Sequence, residues 1–453
     1  MKLIDLNPDG GIGANSMYLR LGDFHLLIDA GLNPKKSGRQ AAPDFRPLQG
    51  VQLDLVLLTH CHLDHLGAMP LALRDQPHPP VVMALPSHKL APRMLHNSAS
   101  VMEREREEHG TPDYPLYTHE EVDRVAKRFY GHPFGQPRKF TGAHDEIEFT
   151  LHSGGHIPGA AGIEIVHKRR RIFITGDVLF AAQRTLPGAN FPHHHIDVLI
   201  TETTRGLNGR ALGRGRAEEA IRLVDTINAT LRRGGSVLIP VFALGRMQEL
   251  LAVLHDARKF NRLDDAPIFA SGLGLEICHL FDDISRKTNL IHFTRQILKD
   301  LKVKTVPRDL VPGKEPPGQG IYVISSGMMV ENTPSYALAP GLVRDEKHSI
   351  CFVGYCDPDT PGGQLLATRP GEEFLFEAVD IRTRIRAPVT RFDLSGHADR
   401  EELLEYAAMI TPHTVVVTHG DASSREWFKE RLPSRLPHHS KVLDPAPLQV
   451  YPV

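Results

Sequence analysis

The stretch LTHCHLDHLGAMP, residues 58–70, constrains this chain more than any other. It sets His60, His62, Asp64 and His65 within six positions, directly after the apolar run LDLVLL. Such a run reads as a buried strand, and loops leaving the strands of a rigid sheet are where sites are built. Neutral imidazole and carboxylate are ligands that zinc accepts, three or four to a metal. His60 and His62, at i and i+2, can converge on one cation, and Asp64 and His65 then point to a second position. Two histidines do not close a site, so further donors have to come from other strand tips. His156 in SGGHIPGAAG, Asp177 in FITGD and His419 in VVVTHG are the candidates. An aspartate between two cations can bridge them, and two metals roughly 3.5–4 Å apart suit phosphate-ester hydrolysis. Cys61 stands between two of these ligands and points away from them, so it reads as packing. The run His193, His194, His195 reads as a solvated loop.

The pattern of a short apolar strand ending in a polar residue recurs through the first 206 residues. SMYLRLGDFHLLIDAG reads as two strands about a Gly-Asp turn. VVMALP is another strand, and residues 88–130 read as helix with charged solvent faces. EIEFTLHSGGH, AGIEIVHKRRRIFITGD and IDVLITETT return to strands. From about residue 207 the texture changes. Helices such as GRMQELLAVLHDARKF alternate with the strands SVLIPVF, APIFASG and QGIYVISSG, which predicts a parallel α/β arrangement. The strand-then-histidine style resumes in VTRFDLSGHADREELLEYAAMI and HTVVVTHGD.

A chain of 453 residues has room for two or three domains. Lys plus Arg number 53 against 54 Asp plus Glu, so a nucleic-acid partner has to be held by a local patch and not by a global basic field. Cys61, Cys278, Cys351 and Cys356 have no CxxC spacing, the mark of a zinc ribbon. The start MKLIDLNPDG has no signal-peptide apolar region, and no apolar run approaches ~18 residues. A cytoplasmic protein without a membrane partner is the expectation.

THCHLDHLGAMP resembles the HxHxDH signature of the metallo-β-lactamase superfamily, and LIDAG, GGHIPGAAG and TGD occur in that superfamily's order. TETTRG, FALGRMQELL, ISSGMM, LSGHAD and VVVTHG resemble its β-CASP branch, the nucleases of RNA processing and DNA repair. The resemblance covers almost the whole chain. It implies an α/β fold: an αββα metallo-β-lactamase sandwich in two pieces, 1–206 and 385–453, with an α/β β-CASP domain, 207–384, inserted as a lid over the metal site. Matched position by position, it implies that His60, His62 and His156 hold one zinc, that Asp64, His65 and His419 hold a second, and that Asp177 bridges them. Manganese is the alternative ion. Asp29 would support the ligand loops. His397 and Glu202 match two acid/base positions: His397 would protonate the leaving oxygen and Glu202 would orient it. RNA-acting members carry His at position 419, where the DNA-repair branch has Val. The N-terminal RNA-binding extension of archaeal members and the C-terminal extension of RNase J are not expected, and Asp393 stands where RNase J proteins have His. A homodimer is compatible with the resemblance.

The function so implied is a zinc-dependent ribonuclease that hydrolyses phosphodiester bonds of single-stranded RNA. The nucleophile would be a hydroxide activated by two metals and oriented by Asp64. The alternatives are a DNA nuclease of the same family and a small-molecule hydrolase of the glyoxalase or lactonase kind, which lacks the inserted domain and LSGHAD. A non-catalytic partner subunit would have lost ligands, and here each ligand position is intact. For substrate grip, Arg382, Arg384 and Arg386 fall on one face of a strand. They either track phosphates or blunt an edge strand. Arg246 opens a helix whose N-terminus suits a phosphate. Ser325 and Ser326 offer hydroxyls for the same purpose, and Ser395 is taken with them as a substrate contact. A single Trp in the chain predicts backbone tracking more than base readout.

Overall fold

A computed structural model describes residues 1–76, 79–207, 214–307 and 310–453. The chain divides into two compact units. The first comprises Met1–Ala182, Gly188–Gly209 and His397–Val453, and the second comprises Gln183–Pro187 and Arg210–Gly396.

The first unit is built on two seven-stranded sheets. One runs in the order Tyr451–Pro452, Lys2–Asp5, Met17–Leu21, Phe24–Ile28, Leu55–Leu57, Val81–Ala84, Phe129–His132. The other runs Lys441–Leu443, Thr414–Thr418, Val198–Glu202, Arg170–Ile174, Ala161–His167, Glu146–Ser153, Arg138–Thr141. Side chains alternate across a strand with a period of two, and the sequence uses both faces. Ile172, Ile174, Val198, Ile200 and Val416 pack inward against Leu26, Leu55 and Leu57 of the facing sheet. Phe173, Leu199, Val415 and Val417 point the other way, onto Leu403, Leu404, Ala407 and Phe428. These last lie on the helices Arg400–Ile410 and Ala422–Arg431. Strands covered on both faces read as unbroken apolar runs, which is why VLI and TVVV carry no polar alternation. Each such side chain contributes about 1.5–3 kcal/mol by its burial. The helix Leu85–His109 packs on the outer face of the first sheet, completing the αββα order. The helix Arg400–Ile410 begins at a reciprocal cap, with Asp399 accepting from the Glu401 N–H and Glu402 from the Asp399 N–H.

Parallel register fixes which residues meet. Val198–Glu202 and Thr414–Thr418 run side by side with Glu202 opposite Thr418. Phe24–Ile28 and Leu55–Leu57 run parallel with Ile28 opposite Leu57. Residues just past these strands therefore share one end of the sandwich. Phe129 and Tyr130, at the end of the stretch read as helix, instead open the edge strand Phe129–His132.

The second unit carries a six-stranded sheet, parallel throughout, in the order Lys304–Thr305, Ile268–Ala270, Ile321–Ile324, Val237–Pro240, Ser349–Phe352, Val389–Arg391. Its core gathers Leu238, Tyr322, Ile324, Ile350 and Phe352 with Tyr336, Leu338 and Leu342 of the helix Pro334–Val343. Val389–Arg391 pairs with Ser349–Phe352, and the first unit resumes at His397, whereas the resemblance implied residue 385. Among the described residues no helix is long and apolar enough to cross a membrane.

Candidate metal centre

His60 and His62 follow the strand Leu55–Leu57, and the one-turn helix Leu63–Leu66 carries Asp64 and His65. The loop after Phe24–Ile28, together with Asn15 from just before Met17–Leu21, clamps this segment. Ala30 N donates to His65 O at 2.7 Å, Leu32 N to Leu63 O at 2.8 Å and Asn15 N to Asp64 O at 2.9 Å. Gly31 of LIDAG permits the approach, since a Cβ there would lie 1.6 Å from Asp64 O. Asp29, buried beside it, accepts from Thr59 N at 2.7 Å, from Thr59 Oγ1 at 2.6 Å and from His65 Nδ1 at 2.8 Å. That bond holds the proton on Nδ1 and leaves His65 Nε2 to face the centre.

Seven side chains gather in two sets, each within ligand reach of a common point. In the first, His62 Nδ1 lies 3.2 Å from His60 Nε2 and 3.1 Å from His156 Nε2. Asp177 Oδ2 is 3.5 Å from His60 Nε2 and 3.7 Å from His156 Nε2. In the second, His419 Nε2 lies 3.2 Å from His65 Nε2 and 3.4 Å from Asp64 Oδ2. Asp177 Oδ1 is 3.5 Å from His65 Nε2 and 3.3 Å from His419 Nδ1. Four ligands about 2.0–2.1 Å from one cation in a tetrahedron stand roughly 3.3 Å apart, which is the spacing seen. Asp177 thus turns Oδ2 to the first set and Oδ1 to His65 Nε2 of the second. That Oδ1 meets His419 at Nδ1, the ring nitrogen opposite the one facing His65 and Asp64. Fully buried, Oδ1 has no hydrogen-bond partner among the described residues. A buried anion of that kind fits a cation.

Burial alone would lower the pKa of His65 and of His419, but Asp177 and Asp64 raise both, while His60 and Asp177 shift the other way. Burial, then the neighbouring His65, push His60 well below its ordinary pKa, into the neutral form a ligand needs. Burial opposes ionisation of Asp177, but His419, His65 and His60 override it and hold the carboxylate ionised. Gly176 of TGD has φ +54°, and a Cβ there would sit 2.8 Å from Thr59 Cβ, so this turn also requires glycine.

Beside the first set, His397 Nδ1 donates to Glu202 Oε2 at 2.9 Å, and Glu202 Oε1 accepts from Val178 N at 2.7 Å. The His397 ring lies 4.5 Å, centroid to centroid, from that of His156. Burial alone would lower the His397 pKa, but the Glu202 carboxylate raises it.

Three family models match the chain: the metallo-beta-lactamase superfamily over residues 9–211, a Beta-Casp domain over 247–365, and a Zn-dependent metallo-hydrolase RNA specificity domain over 382–442. The chain belongs to the β-CASP family of the metallo-β-lactamase superfamily. Membership implies binding of divalent metal. Relatives include the transcription termination factor FttA of Pyrococcus abyssi, 30% identical over 440 residues, and that of Thermococcus kodakarensis, 29% identical over 441. These alignments take in 90% and 91% of this chain, which spans 65% of the length of those two relatives. The probable RNase MJ4 of Methanocaldococcus jannaschii is 26% identical over 429 residues, covering 92% of this chain and 94% of that one. The fold is similar to that in the crystal structure of a protein of unknown function from Enterococcus faecalis V583, with TM-score 0.53, 11% identity and 99% of each chain covered.

The residues considered for substrate contact all belong to the second unit of this β-CASP chain. Arg246 is buried at the start of the helix Arg246–Lys259, with Nη1 on Leu394 O at 3.0 Å and Nη2 on Gln183 Oε1. Ser325 Oγ meets Ser271 Oγ at 3.1 Å, and Ser326 Oγ accepts from Val330 N at 2.9 Å. Ser395 is buried and its carbonyl accepts from Arg216. Arg382 and Arg384 project to solvent from the strand Ile381–Arg384 of a two-stranded ribbon, and Arg386 is exposed just beyond it. Cys61 is buried with its thiol on Ser87 O, and burial pushes its pKa up to about 12. Sequence reasoning passed over Thr59, which adjoins His60, and Thr204, two residues after Glu202. Thr204 Oγ1 contacts His419 Nδ1 at 3.1 Å. It also passed over Glu249 and Arg216, whose pairing across the chain leaves no local pattern.

Proposed function

We propose that the chain is a zinc-dependent ribonuclease that hydrolyses phosphodiester bonds of single-stranded RNA with two metal ions. The observation that carries this reading is Asp177, with Oδ2 facing His60 and His156 and Oδ1 facing His65 and His419, beside the His397–Glu202 pair. A donor set of imidazole and carboxylate suits zinc, with manganese as the alternative. RNA is favoured because the model matching 382–442 is described as an RNA specificity domain, and because one relative is named an RNase and others transcription termination factors.

When bound, the two ions supply Lewis acidity to the phosphoryl oxygens and lower the pKa of water to about 7. The chain's own groups do the rest. Asp64, the most open of the candidate carboxylates with 20% of its side chain exposed, accepts a hydrogen bond from the attacking water and aims it at phosphorus. Asp29 keeps His65 in the tautomer and orientation described above. His397, with Nδ1 committed to Glu202, turns Nε2–H toward the departing 3′-oxygen and gives it a proton. Glu202 stabilises the imidazolium before that transfer. The products are a 3′-hydroxyl and a 5′-phosphate, with no covalent enzyme intermediate.

The test is incubation of the metal-loaded chain with end-labelled RNA and DNA of one sequence, single-stranded and paired. Cleavage of the single-stranded RNA with paired regions resistant is expected. Equal or faster cutting of DNA would overturn the RNA assignment, and cleavage undiminished by chelator would overturn the metal assignment.

A further inference from the structure

The strands that carry Glu202 and precede His419 bear a second group of nitrogen and oxygen donors at their other ends. Val198 lies opposite Thr414 in parallel register, so Asp197 and His413 enter the two strands side by side. The main chain locks them there. Thr414 N donates to Asp197 O at 3.0 Å, Asp197 N to Arg171 O at 3.0 Å and Lys441 N to His413 O at 2.9 Å. His195 joins them from two residues upstream. Its Nδ1 lies 3.3 Å from Thr411 Oγ1, the residue that closes the helix Arg400–Ile410, and its Nε2 turns to Asp197. Asp197 Oδ2 is taken by Arg171 N at 2.7 Å. His413 Nδ1 and His195 Nε2 then stand 3.3 Å and 3.6 Å from the remaining oxygen, Oδ1. That is the spacing of ligands sharing one ion, roughly 3.3 Å, and not the ~2.9 Å of a formed hydrogen bond. It repeats the donor spacing of the metal centre at the far end of the same strands.

We infer that His195, Asp197 and His413 form a separate surface site for a divalent transition-metal cation, zinc in the first instance. Two imidazoles and one carboxylate select zinc, nickel or copper over magnesium and calcium, which take oxygen ligands. The His195 and His413 side chains are 47% and 52% exposed, so water completes the coordination. The His439 ring, 5.4 Å from that of His413, is the nearest further imidazole. Five strand residues at about 3.3 Å each place the site roughly 17 Å from Glu202, too far to share in chemistry there. Its effect is to join the segment before Val198 to the turn before Thr414, so metal raises the thermal stability of the folded chain.

The test uses the full chain, freed of loosely held metal and titrated with zinc chloride, with bound zinc counted after equilibrium dialysis. The wild type is expected to bind one equivalent more than the His195→Ala/His413→Ala variant, with an affinity in the micromolar range. That variant should keep its tightly held metal and its RNA cleavage. Asp197→Asn should weaken the extra equivalent at least tenfold, and copper bound there should show nitrogen ligation by electron paramagnetic resonance. His62→Ala should retain the surface equivalent, so the two sites can fail separately. Equal zinc uptake by wild type and double variant would overturn the inference, as would displacement of the surface zinc by equimolar magnesium.

Discussion

Asp177 and Glu249 are both buried carboxylates, one in each unit, and their surroundings differ in kind. Glu249, near the start of the helix Arg246–Lys259, accepts from Arg184 N, Thr185 N and Thr185 Oγ1, each at 2.9 Å, and has Arg216 Nη2 at 3.7 Å. Its lone pairs and charge are satisfied within the second unit, and they bind the short segment Gln183–Pro187 into it. Asp177 faces imidazole nitrogens at 3.3–3.7 Å, and its Oδ1 accepts no hydrogen bond among the described residues. A polar cluster that closes on itself holds a fold together. One that buries a carboxylate among imidazole nitrogens at ligand spacing, with no hydrogen-bond donor for one of its oxygens among the described residues, is shaped around a cation.

The largest effect should come from Asp177. Asp177→Ala is expected to reduce RNA cleavage to background and to release tightly held metal, measured by elemental analysis, while the chain stays folded by circular dichroism. Full activity in that variant would erase the contrast with Glu249. Next in size is His397→Ala, which should lower the cleavage rate by about 10²–10⁴-fold, the range of a general acid, with metal content unchanged. Loss of metal instead would make His397 a ligand.

The mirror-image experiment is Glu249→Ala. It strands two backbone N–H groups and Arg216, and should cost about 3–5 kcal/mol in denaturant unfolding without altering metal stoichiometry. Asp5 offers an intermediate case, a buried carboxylate with the Asn7 N–H at 3.0 Å. Burial pushes its pKa up to about 6, partly offset by that N–H and by Arg425. Because the folded value lies above the unfolded one, its contribution is present below about pH 3.8 and is lost as pH rises through 6. Two pH units correspond to at most about 3 kcal/mol. Asp5→Asn should therefore flatten the stability profile between pH 4 and 6, and an unaltered slope would remove Asp5 as the cause. The smallest effect concerns Arg382, Arg384 and Arg386. If they hold RNA, replacing all three with Ala flattens the salt dependence of binding by up to about 2, at about 0.7 per phosphate contact. An unchanged slope returns them to the role of edge-strand charges.

The metal centre was legible because its parts are local. HxHxDH spans six residues, and each other ligand follows an apolar strand whose face pattern and parallel register bring the tips together. The parallel sheet of the second unit was legible for the same reason, since helix and strand periods alternate there without interruption. Glu249 with Arg184 and Arg216, and Asp197 with His413, were not legible, because they join residues far apart in sequence with no period to connect them. The run 193–195 is an exposed loop, as it reads, yet adjacent side chains diverge. His194 Nε2 turns to Glu164 at 2.8 Å and His195 to Asp197. VTRF was read with the histidine motif that follows it, but it pairs with Ser349–Phe352, because a parallel sheet edge accepts any short β-branched strand in register.

Whether Asp177 stands between two cations is decided by anomalous diffraction at the zinc absorption edge from crystals of the zinc-loaded, active chain. Two strong peaks roughly 3.5–4 Å apart are expected, one bounded by His60, His62 and His156, the other by Asp64, His65 and His419, with a carboxylate oxygen of Asp177 directed at each. A single peak among these residues, or none, in crystals of active protein would contradict that arrangement.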